Sequence, residues 1–524
     1  MGKYLKEFEL ISQYEEYINS DIAILPNVSI INDINGVYYN PKVPNYLKFT
    51  AEEDNSTISL NAKTSPDMKY SLNGGDWTQW DYSDIILNIG DTLCMKGNNS
   101  NGFSTSGSSY NQFKMTGKIG ASGNIMSLLY EDEFEGKLTI PCDYCFYDIF
   151  AFCSSLTTTP ELPATTLTER CYSNMFSNCI SLTTTPDLPA TTLMSNCYYS
   201  MFYGCKSLTN APELPATTLA FNCYSNMFYN CKSLTSAPKL PATTLANGCY
   251  SQMFSGCTAL TTAPELQATT LANSCYSDMF SDCTALTTTP ELPATTLTDD
   301  CYMGMFSRCT SLTTAPELPA TIATRRCYMN MFYGCTALIT APELPATILT
   351  DYCYTYMFYN CSALTTVPTT LPATTLTYRC YDEMFCGCTS LTNAPELPAT
   401  TLAESCYQEM FMNCTSLTTV PELPATTLAP YCYYHMFNYC TSLTTAPELP
   451  ATTLVNSCYS QMFFYCAKLN YIKMLATDIS ASGCLNGWTY GVSSTGTFVK
   501  HPNMTSLPTG PSGIPEGWTV QDAA

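Results

Sequence analysis

The residues best equipped for chemistry in this chain are its cysteines, thirty in 524 residues. Twenty-six fall in pairs spaced C-x7-C, such as Cys171 and Cys179; the other four are Cys94, Cys142, Cys386 and Cys484. Zinc motifs set their thiolates about two to four residues apart, which this spacing does not supply. Cys386 and Cys388 are closer, but that spacing occurs in one place only. A disulfide needs Cα atoms within ~7 Å, and eight residues of helix rise ~12 Å, so a helical segment excludes a bridge within a pair. Equivalent cysteines on neighbouring coils would lie ~5 Å apart, which distance alone permits. The favoured reading is a stack of buried free thiols packed as small apolar residues.

Other chemistry is thinner. Only His435 and His501 are present, so cysteine–histidine nucleophile pairs and most histidine-bearing zinc sites lack their material. His435, between Tyr434 and Met436, has no counterpart in the other units and reads as a solvated or packing residue. Carboxylates do form a ladder: Glu161, Asp187, Glu213, Glu265, Glu291, Glu317, Glu343, Glu396, Glu422 and Glu448 share one slot, with Lys239 substituting once. Two carboxylates ~5–9 Å apart can hydrolyse a glycoside. A catalytic pair, however, needs two environments that separate its pKa values, and a repeated slot offers one. In water, two such charges ~5 Å apart repel by less than ~1 kcal/mol, so a solvated stripe is expected, with calcium along it as the alternative. Trp77 and Trp80 flank a hairpin signal, where one is expected in a core and the other at an edge or interface. No catalytic, cofactor-binding or metal-binding residue is assigned, and no cofactor.

A repeat must position these groups. Thirteen copies of C-Y-x-x-M-F-x-x-C-x-x-L-T-T-x-P-E-L-P-A-T-T-L begin at Cys145, Cys171, Cys197, Cys223, Cys249, Cys275, Cys301, Cys327, Cys353, Cys380, Cys406, Cys432 and Cys458. Each step is 26 residues except the 27 from Cys353 to Cys380, where the extra residue lies in Val367-Pro-Thr-Thr-Leu371. Such a period means a solenoid whose units bury their apolar faces against one another. Cys171, Met175 and Cys179 at i, i+4, i+8, with Tyr172 and Phe176 beside them, predict a helix. Leu182-Thr-Thr-Thr, ended by Pro186, predicts one strand of a parallel sheet, and Leu188-Pro-Ala-Thr-Thr-Leu193 turns the chain back. The expected fold is an α/β solenoid of thirteen strand-plus-helix coils behind a small β-rich domain. Its divisions are an attachment arm (1–45), a small β-sandwich (46–118), a cap (119–144), the array (145–466) and a second cap (467–524). The arm carries a capping box, Ser12-Gln-Tyr-Glu15, that predicts a short helix. In the sandwich, Tyr46-Leu-Lys-Phe-Thr and Thr57-Ile-Ser-Leu alternate, and Asn73-Gly-Gly-Asp76 signals a hairpin.

Net charge is −22 with pI near 4.3, against nucleic-acid binding, which needs clustered Lys and Arg, and against anionic membrane surfaces. No apolar run approaches the ~20 residues of a membrane helix. The opening residues lack a secretory apolar stretch, so surface display is expected to need another export route, release by lysis or a trimmed signal. Variation among the units gathers before the first cysteine and at the x positions, where Tyr199, Tyr203, Tyr229, Tyr333, Tyr356, Tyr359, Tyr434, Tyr439 and Tyr465 recur. Neutral drift on an outer face accounts for this. So does a Tyr/Asn/Ser-rich recognition surface, a mixture that binds at low entropic cost. The Thr-rich strand positions are a second candidate face.

The M-F-x-x-C-x-x-L stretch with L-x-x-x-P-x-L-P resembles the BspA-like leucine-rich repeats of bacterial surface proteins, over about residues 145–466. It departs from them in the cysteine opening each unit and in Leu-Pro-Ala-Thr-Thr-Leu. Tyr4-Leu-Lys-Glu-Phe, Leu25-Pro-Asn-Val-Ser and Val37-Tyr-Tyr-Asn-Pro resemble the opening of virion-associated proteins of gut Bacteroides phages, crAss-like ones included. Gly496-Thr-Phe-Val-Lys with Gly513-Ile-Pro-Glu-Gly-Trp-Thr-Val520 is similar to tails that follow repeats in phage and Bacteroides proteins. The resemblances imply a non-enzymatic virion fibre, of head or tail. Its arm would dock on other virion proteins, and its solenoid would meet a host-surface protein or glycan, with homo-oligomerisation open. The alternative they imply is a bacterial cell-surface adhesin.

Overall fold

A computed structural model describes residues 28–33, 36–41 and 44–524. The helix expected around the 12–15 capping box lies outside the described residues. The chain divides into two units, Met1–Tyr46 and Leu47–Ala524. In the first, β1 (Val28–Asp33) and β2 (Gly36–Pro41) pair antiparallel, Val28 opposite Pro41 and Asp33 opposite Gly36.

The second unit opens with two sheets. One runs in the order β11-β10-β3-β8-β5-β6 and the other β7-β4-β9, where β3 is Leu47–Ala51, β4 Ser56–Ala62, β5 Lys69–Leu72, β6 Thr78–Gln79, β7 Ile85–Leu87, β8 Thr92–Lys96, β9 Asn111–Thr116, β10 Ile119–Ser122 and β11 Leu156–Thr158. Alternation decides their faces: Leu47, Phe49 and Ala51 point inward while Lys48 and Thr50 do not. Phe49 meets Phe113 of the other sheet edge-on at 5.3 Å. One turn of helix, α1 (Ser127–Tyr130), follows, and the Ser127 hydroxyl binds the Met95 carbonyl at 2.9 Å. The β-rich layer runs directly into the array, because β10 pairs in parallel with β11 and Phe113 stacks on Phe150 at 5.3 Å and 10°.

The expected helix of each unit does not form. Every fourth residue of the run has positive φ, as at Arg170, Asn174 and Asn178 (53°, 54° and 59°) and Asn222, Asn226 and Asn230 (50°, 57° and 58°), and no α-helix tolerates that. The i, i+4, i+8 period is real, but it is a period of four, made by linked four-residue turns rather than by 3.6 residues per turn. Within the run, alternate amides close turns: Ser173, Met175 and Ser177 donate to the carbonyls of Arg170, Tyr172 and Asn174. The amides between them reach the next coil: Tyr172, Asn174 and Phe176 donate to the carbonyls of Cys197, Tyr199 and Met201. Half the backbone bonds are thus long-range, and buried amides that no helix would pair are satisfied. The left-handed residues explain the composition of these slots. Asn, Asp and Gly adopt that conformation at least cost, and they dominate one column as Asn178, Gly204, Asn230, Gly256, Asp282, Gly334, Asn360, Gly387 and Asn413, with Phe152, Arg308, Tyr439 and Tyr465 in its other places.

The expected strand is also reduced. In most coils it is a single parallel bridge, as at Asn210–Ser236, Thr262–Thr288 and Thr314–Thr340. A second ladder joins Thr192, Thr218, Thr244, Thr270 and Thr296. It widens once into β12 (Ile322–Ala323) and β13 (Ile348–Leu349). The fold is therefore a solenoid of turns and short β-bridges, not of helices and strands. Its ladder of inter-coil bonds continues beyond the last recognisable repeat: Tyr459, Gln461 and Phe463 donate to Cys484, Asn486 and Trp488. Residues 483–491 thus form a divergent further run. Parallel strands β14 (Tyr471–Met474), β15 (Thr497–Lys500) and β16 (Thr519–Asp522) complete the end.

The core is a set of columns. Phe150 to Phe463 stack coil on coil with ring centroids 5.5 to 5.8 Å apart, and Tyr172 to Tyr459 stack at 5.5 to 6.0 Å. Each buried ring contributes roughly 1.5–3 kcal/mol of apolar burial, and each ring pair about 0.5–1.5 kcal/mol more.

The left-handed column makes a direct prediction. Asn230→Val places a β-branched residue at φ 58° and is expected to cost about 1–2 kcal/mol. Asn230→Gly should stay within a few tenths of wild type. Urea titration of both variants checks this; equal stabilities would contradict the turn geometry.

Candidate binding face of the array

All thirty cysteines are free thiols, and all but Cys94 and Cys142 are buried. The second cysteine of each unit donates its S–H to the phenylalanine carbonyl of the preceding coil, as Cys179 does to Phe150 at 3.1 Å and Cys335 to Phe306 at 3.0 Å. Burial pushes these thiols up, Cys231 and Cys414 to about 12, so thiolate chemistry is suppressed along the column. Among the described residues, no three His, Cys, Asp or Glu side chains converge as metal ligands would. The acidic ladder is exposed at each of its positions, from Glu161 to Glu448, with Lys473 paired to Glu448 at 2.9 Å. Trp80 is buried, its indole N–H donating to Ser83 at 3.0 Å; Trp77 is half-buried beneath the Lys96 ammonium, 4.6 Å from its ring.

The tyrosines selected from the sequence all lie on the outer side of the turn run. Tyr199, Tyr203, Tyr229, Tyr333, Tyr356, Tyr359 and Tyr434 are half-buried, and Tyr439 is 41% exposed. Several meet in pairs. Tyr203 stacks on Tyr229 at 4.8 Å and 4°, Tyr333 on Tyr359 at 4.9 Å and 0°, and Tyr439 on Tyr465 at 5.1 Å and 17°. Arg308 lies over Tyr333 at 5.5 Å, and Tyr356 meets Tyr359 edge-on at 5.8 Å. The pairs do not join into one ladder, because Ser255, Ser281 and Ser307 occupy the same slot in the units between Tyr229 and Tyr333. Tyr199 stands one turn away from the Tyr203 slot, and Tyr434 packs instead on His435 at 3.9 Å.

A polar cluster on the same face escaped the sequence reading. Asp382 fills a slot that holds Ser or Thr in the units of Ser173, Ser225, Ser277, Thr355 and Ser460, and it is 0% exposed. Its Oδ2 accepts from Arg379 Nη1 at 3.1 Å, while Oδ1 has no partner. Burial pushes this carboxyl up to about 8, against the pull of Arg379. Beside it, burial and the neighbouring Glu383 push Glu409 up to about 7. Burial lowers His435 to about 4, so it is neutral near pH 7; its Nδ1 faces Asn438 Nδ2 at 3.3 Å and its Nε2 is unpartnered. The sequence signal was present as Asp382-Glu383 in slots otherwise mostly small or neutral, but reading the units one at a time concealed that Glu383, Glu409 and His435 occupy the same slot on successive coils. Asp382 is sealed from solvent and cannot meet a substrate. Two surface depressions, of about 350 Å³ by Thr489–Glu516 and about 430 Å³ by Ala237–Gln267, involve neither this cluster nor the tyrosines.

Coils built on columns of Leu, Phe, Tyr, Met and Cys, each closed by the next, define a leucine-rich-repeat solenoid. The profile of the "BspA type Leucine rich repeat region (6 copies)" family matches residues 137–287, 222–365, 276–394 and 355–483, which together cover most of the chain. The protein belongs to that family. A leucine-rich repeat protein from Bacteroides ovatus ATCC 8483 is similar at 18% identity over 64% of this chain and 88% of its own, with a TM-score of 0.37. A chain of the TLR13–ssRNA13 complex matches at 13% identity over 63% of this chain and 45% of its own, with a TM-score of 0.20. No curated protein matches. Among the described residues no helix is long and apolar enough to cross a membrane.

Proposed function

We propose that this is a non-enzymatic surface protein that uses the outer side of its turn runs to attach to a host-surface protein or glycan. The observation that carries this reading is the separation of constant from variable positions. The Cys, Tyr, Met, Phe and Leu columns are buried and nearly invariant from coil to coil, while variation gathers in the remaining slots of the turn run, where small side chains are buried and the larger ones reach the surface, several of their aromatics in pairs. Flat ring pairs such as Tyr333–Tyr359 present rigid, amphipathic area at little entropic cost, as sugar faces and protein patches require. The family assignment supports an adhesin-type surface role. The flanking resemblances favour a virion as the carrying surface, with residues 1–45 docking on other particle proteins and the chain itself free to self-associate; a bacterial cell surface is the alternative.

The test uses the full chain and Tyr333→Ser/Tyr359→Ser on arrays of host-type glycans and on intact host cells. Binding should fall at least about tenfold in the variant, the loss of ~1.4 kcal/mol, with no release of reducing sugar by either protein. Undiminished binding, or glycan depolymerisation, would overturn the reading. Mass spectrometry of purified phage particles against host outer-surface fractions separates the carriers: stoichiometric recovery in particles supports a fibre, and recovery only on cells leaves the adhesin.

A further inference from the structure

Four aromatic side chains meet where the array runs into its end region. Tyr439 and Tyr465 occupy the left-handed column on successive coils, at φ 58° and 55°, places that Asn, Asp and Gly fill more easily. Phe464 and Tyr490 stand in the neighbouring column, Tyr490 coming from the divergent run 483–491. Tyr439 stacks on Tyr465 at 5.1 Å, and Phe464 on Tyr490 at 5.2 Å and 20°. The two stacks are nearly perpendicular: Tyr465 lies at 4.8 Å and 81° to Phe464 and at 5.4 Å and 75° to Tyr490. The rings thus form one corner, and Tyr439, Tyr465 and Tyr490 are 39% to 46% exposed. Gly491 follows Tyr465 in its column and brings no ring; a Cβ there, at φ 78°, would lie 2.8 Å from Tyr465 Cδ1. Tyr490 and Gly491 also line the depression of about 350 Å³, so the corner opens directly into it. Ser493, Ser494 and Glu516 supply polar groups to the same lining. The loops around it are fixed from behind, Trp518 and Trp488 donating their indole N–H groups to the carbonyls of Ser493 at 2.7 Å and Gly513 at 3.0 Å.

We propose that this aromatic corner and the depression beside it bind the sugar rings of an uncharged glycan. The assignment rests on the attachment role proposed above and adds to it a second site of defined chemistry. A pyranose carries apolar C–H groups on its faces and hydroxyls around its edge. Tyrosine and phenylalanine rings offer rigid apolar area to the faces at little entropic cost. The hydroxyls of Ser493 and Ser494 can donate or accept, and the Glu516 carboxylate accepts, at the edge. Ligand sites hold roughly 300–1,000 Å³, and this depression lies at the small end, which suits the end of a glycan with its remaining rings laid on the corner. Charge selects among sugars. Glu516, on a chain of net charge −22, repels uronic and sialic acids. A protein partner would need about 800 Å² of face on each side, whereas polar groups gathered in a concavity beside apolar rings fit a small ligand.

The test titrates the full chain with cellohexaose and maltohexaose, as neutral probes of either linkage, and with hexagalacturonate as the acidic one. Calorimetry reads affinity, and tryptophan fluorescence reads the place, since Trp488 and Trp518 lie behind the depression. At least one neutral probe should bind, more tightly than hexagalacturonate, and Glu516→Gln should narrow that preference. Tyr490→Ala should weaken neutral binding by at least about tenfold. Should that variant misfold, Ser494→Trp, at an exposed position of the lining, should block the depression with the four rings in place. Tyr333→Ser/Tyr359→Ser, at mid-array, should leave oligosaccharide binding unchanged. No binding of either neutral probe, equal or tighter binding of hexagalacturonate, a preference unmoved by Glu516→Gln, or undiminished binding in the Tyr490 and Ser494 variants overturns the proposal. Host-cell attachment by a chain that ignores both neutral probes removes this site and leaves the attachment role; oligosaccharide binding without cell attachment removes the role and leaves the site.

Discussion

Phe306→Ala is expected to cost about 3–5 kcal/mol and to split the unfolding of the array in two. Phe306 is fully buried and stacks on Phe280 at 5.8 Å and Phe332 at 5.7 Å, so truncation opens a cavity and deletes two ring contacts at once. In a solenoid, stability is close to a sum of unit terms and nearest-neighbour terms. A weak point at mid-array therefore uncouples the coils before it from those after it. Urea denaturation followed by tyrosine fluorescence should show one transition in wild type and two in the variant. Phe463→Ala, beside Trp488 near the far end, should instead shift the start of a single transition. Identical curves for the two variants would rule out column-by-column coupling.

The second large effect concerns pH. Asp382 has its folded pKa raised to about 8 by burial, above the ~3.9 of an unfolded aspartate, so the native state binds the extra proton between those values. By linkage, its contribution is fully present below pH ~4 and is lost as pH rises through 8. Glu409, at about 7, acts in the same direction, and His435, at about 4, acts oppositely but only below pH ~6.5. From pH 6.5 to 8.5 Asp382 and Glu409 together should lower stability by on the order of 2–3 kcal/mol. The groups facing Asp382 are Arg379, Glu383 and Glu409, and Arg379 is part-exposed, so it can rehydrate when its partner is neutralised. Asp382→Asn should therefore be more stable than wild type at pH 8.5 and show a flatter profile. Denaturant midpoints at both pH values decide it; a variant that falls as steeply as wild type removes Asp382 as the cause.

How far the sequence discloses this molecule depends on the range of the interaction. The columns were legible, since Cys171, Met175, Phe176 and Cys179 recur with a fixed step and all are buried. The backbone that carries them was not. An i, i+4 pattern suits a helix locally, and only Asn and Gly at every fourth place, as at Asn222, Asn226 and Asn230, argue for positive φ. The bonds that replace the helix run to the following coil, from Tyr172 to Cys197 for instance, and no local pattern encodes them. The candidate tyrosines could be picked out because aromatics stand out in variable slots. Its division into pairs, and the cluster at Asp382, depend on which slots adjoin in neighbouring coils, which becomes visible only once the coils are superposed.

The even offset of those inter-coil bonds has a genetic consequence. Donor and acceptor lie the same distance apart from coil to coil, and across the 27-residue step Tyr354 simply reaches Cys380 instead. Recombination between two copies adds or removes whole 26-residue periods, and each such event restores every bond at the new junction. The array can therefore be lengthened or shortened in increments of one ring spacing, 5.5 to 5.8 Å, without redesigning either end. Tyr333 with Tyr359, or Asp382 with Glu409, can be carried along as a cassette, so a lineage can change how far such clusters stand from one another along the array faster than it can invent new ones.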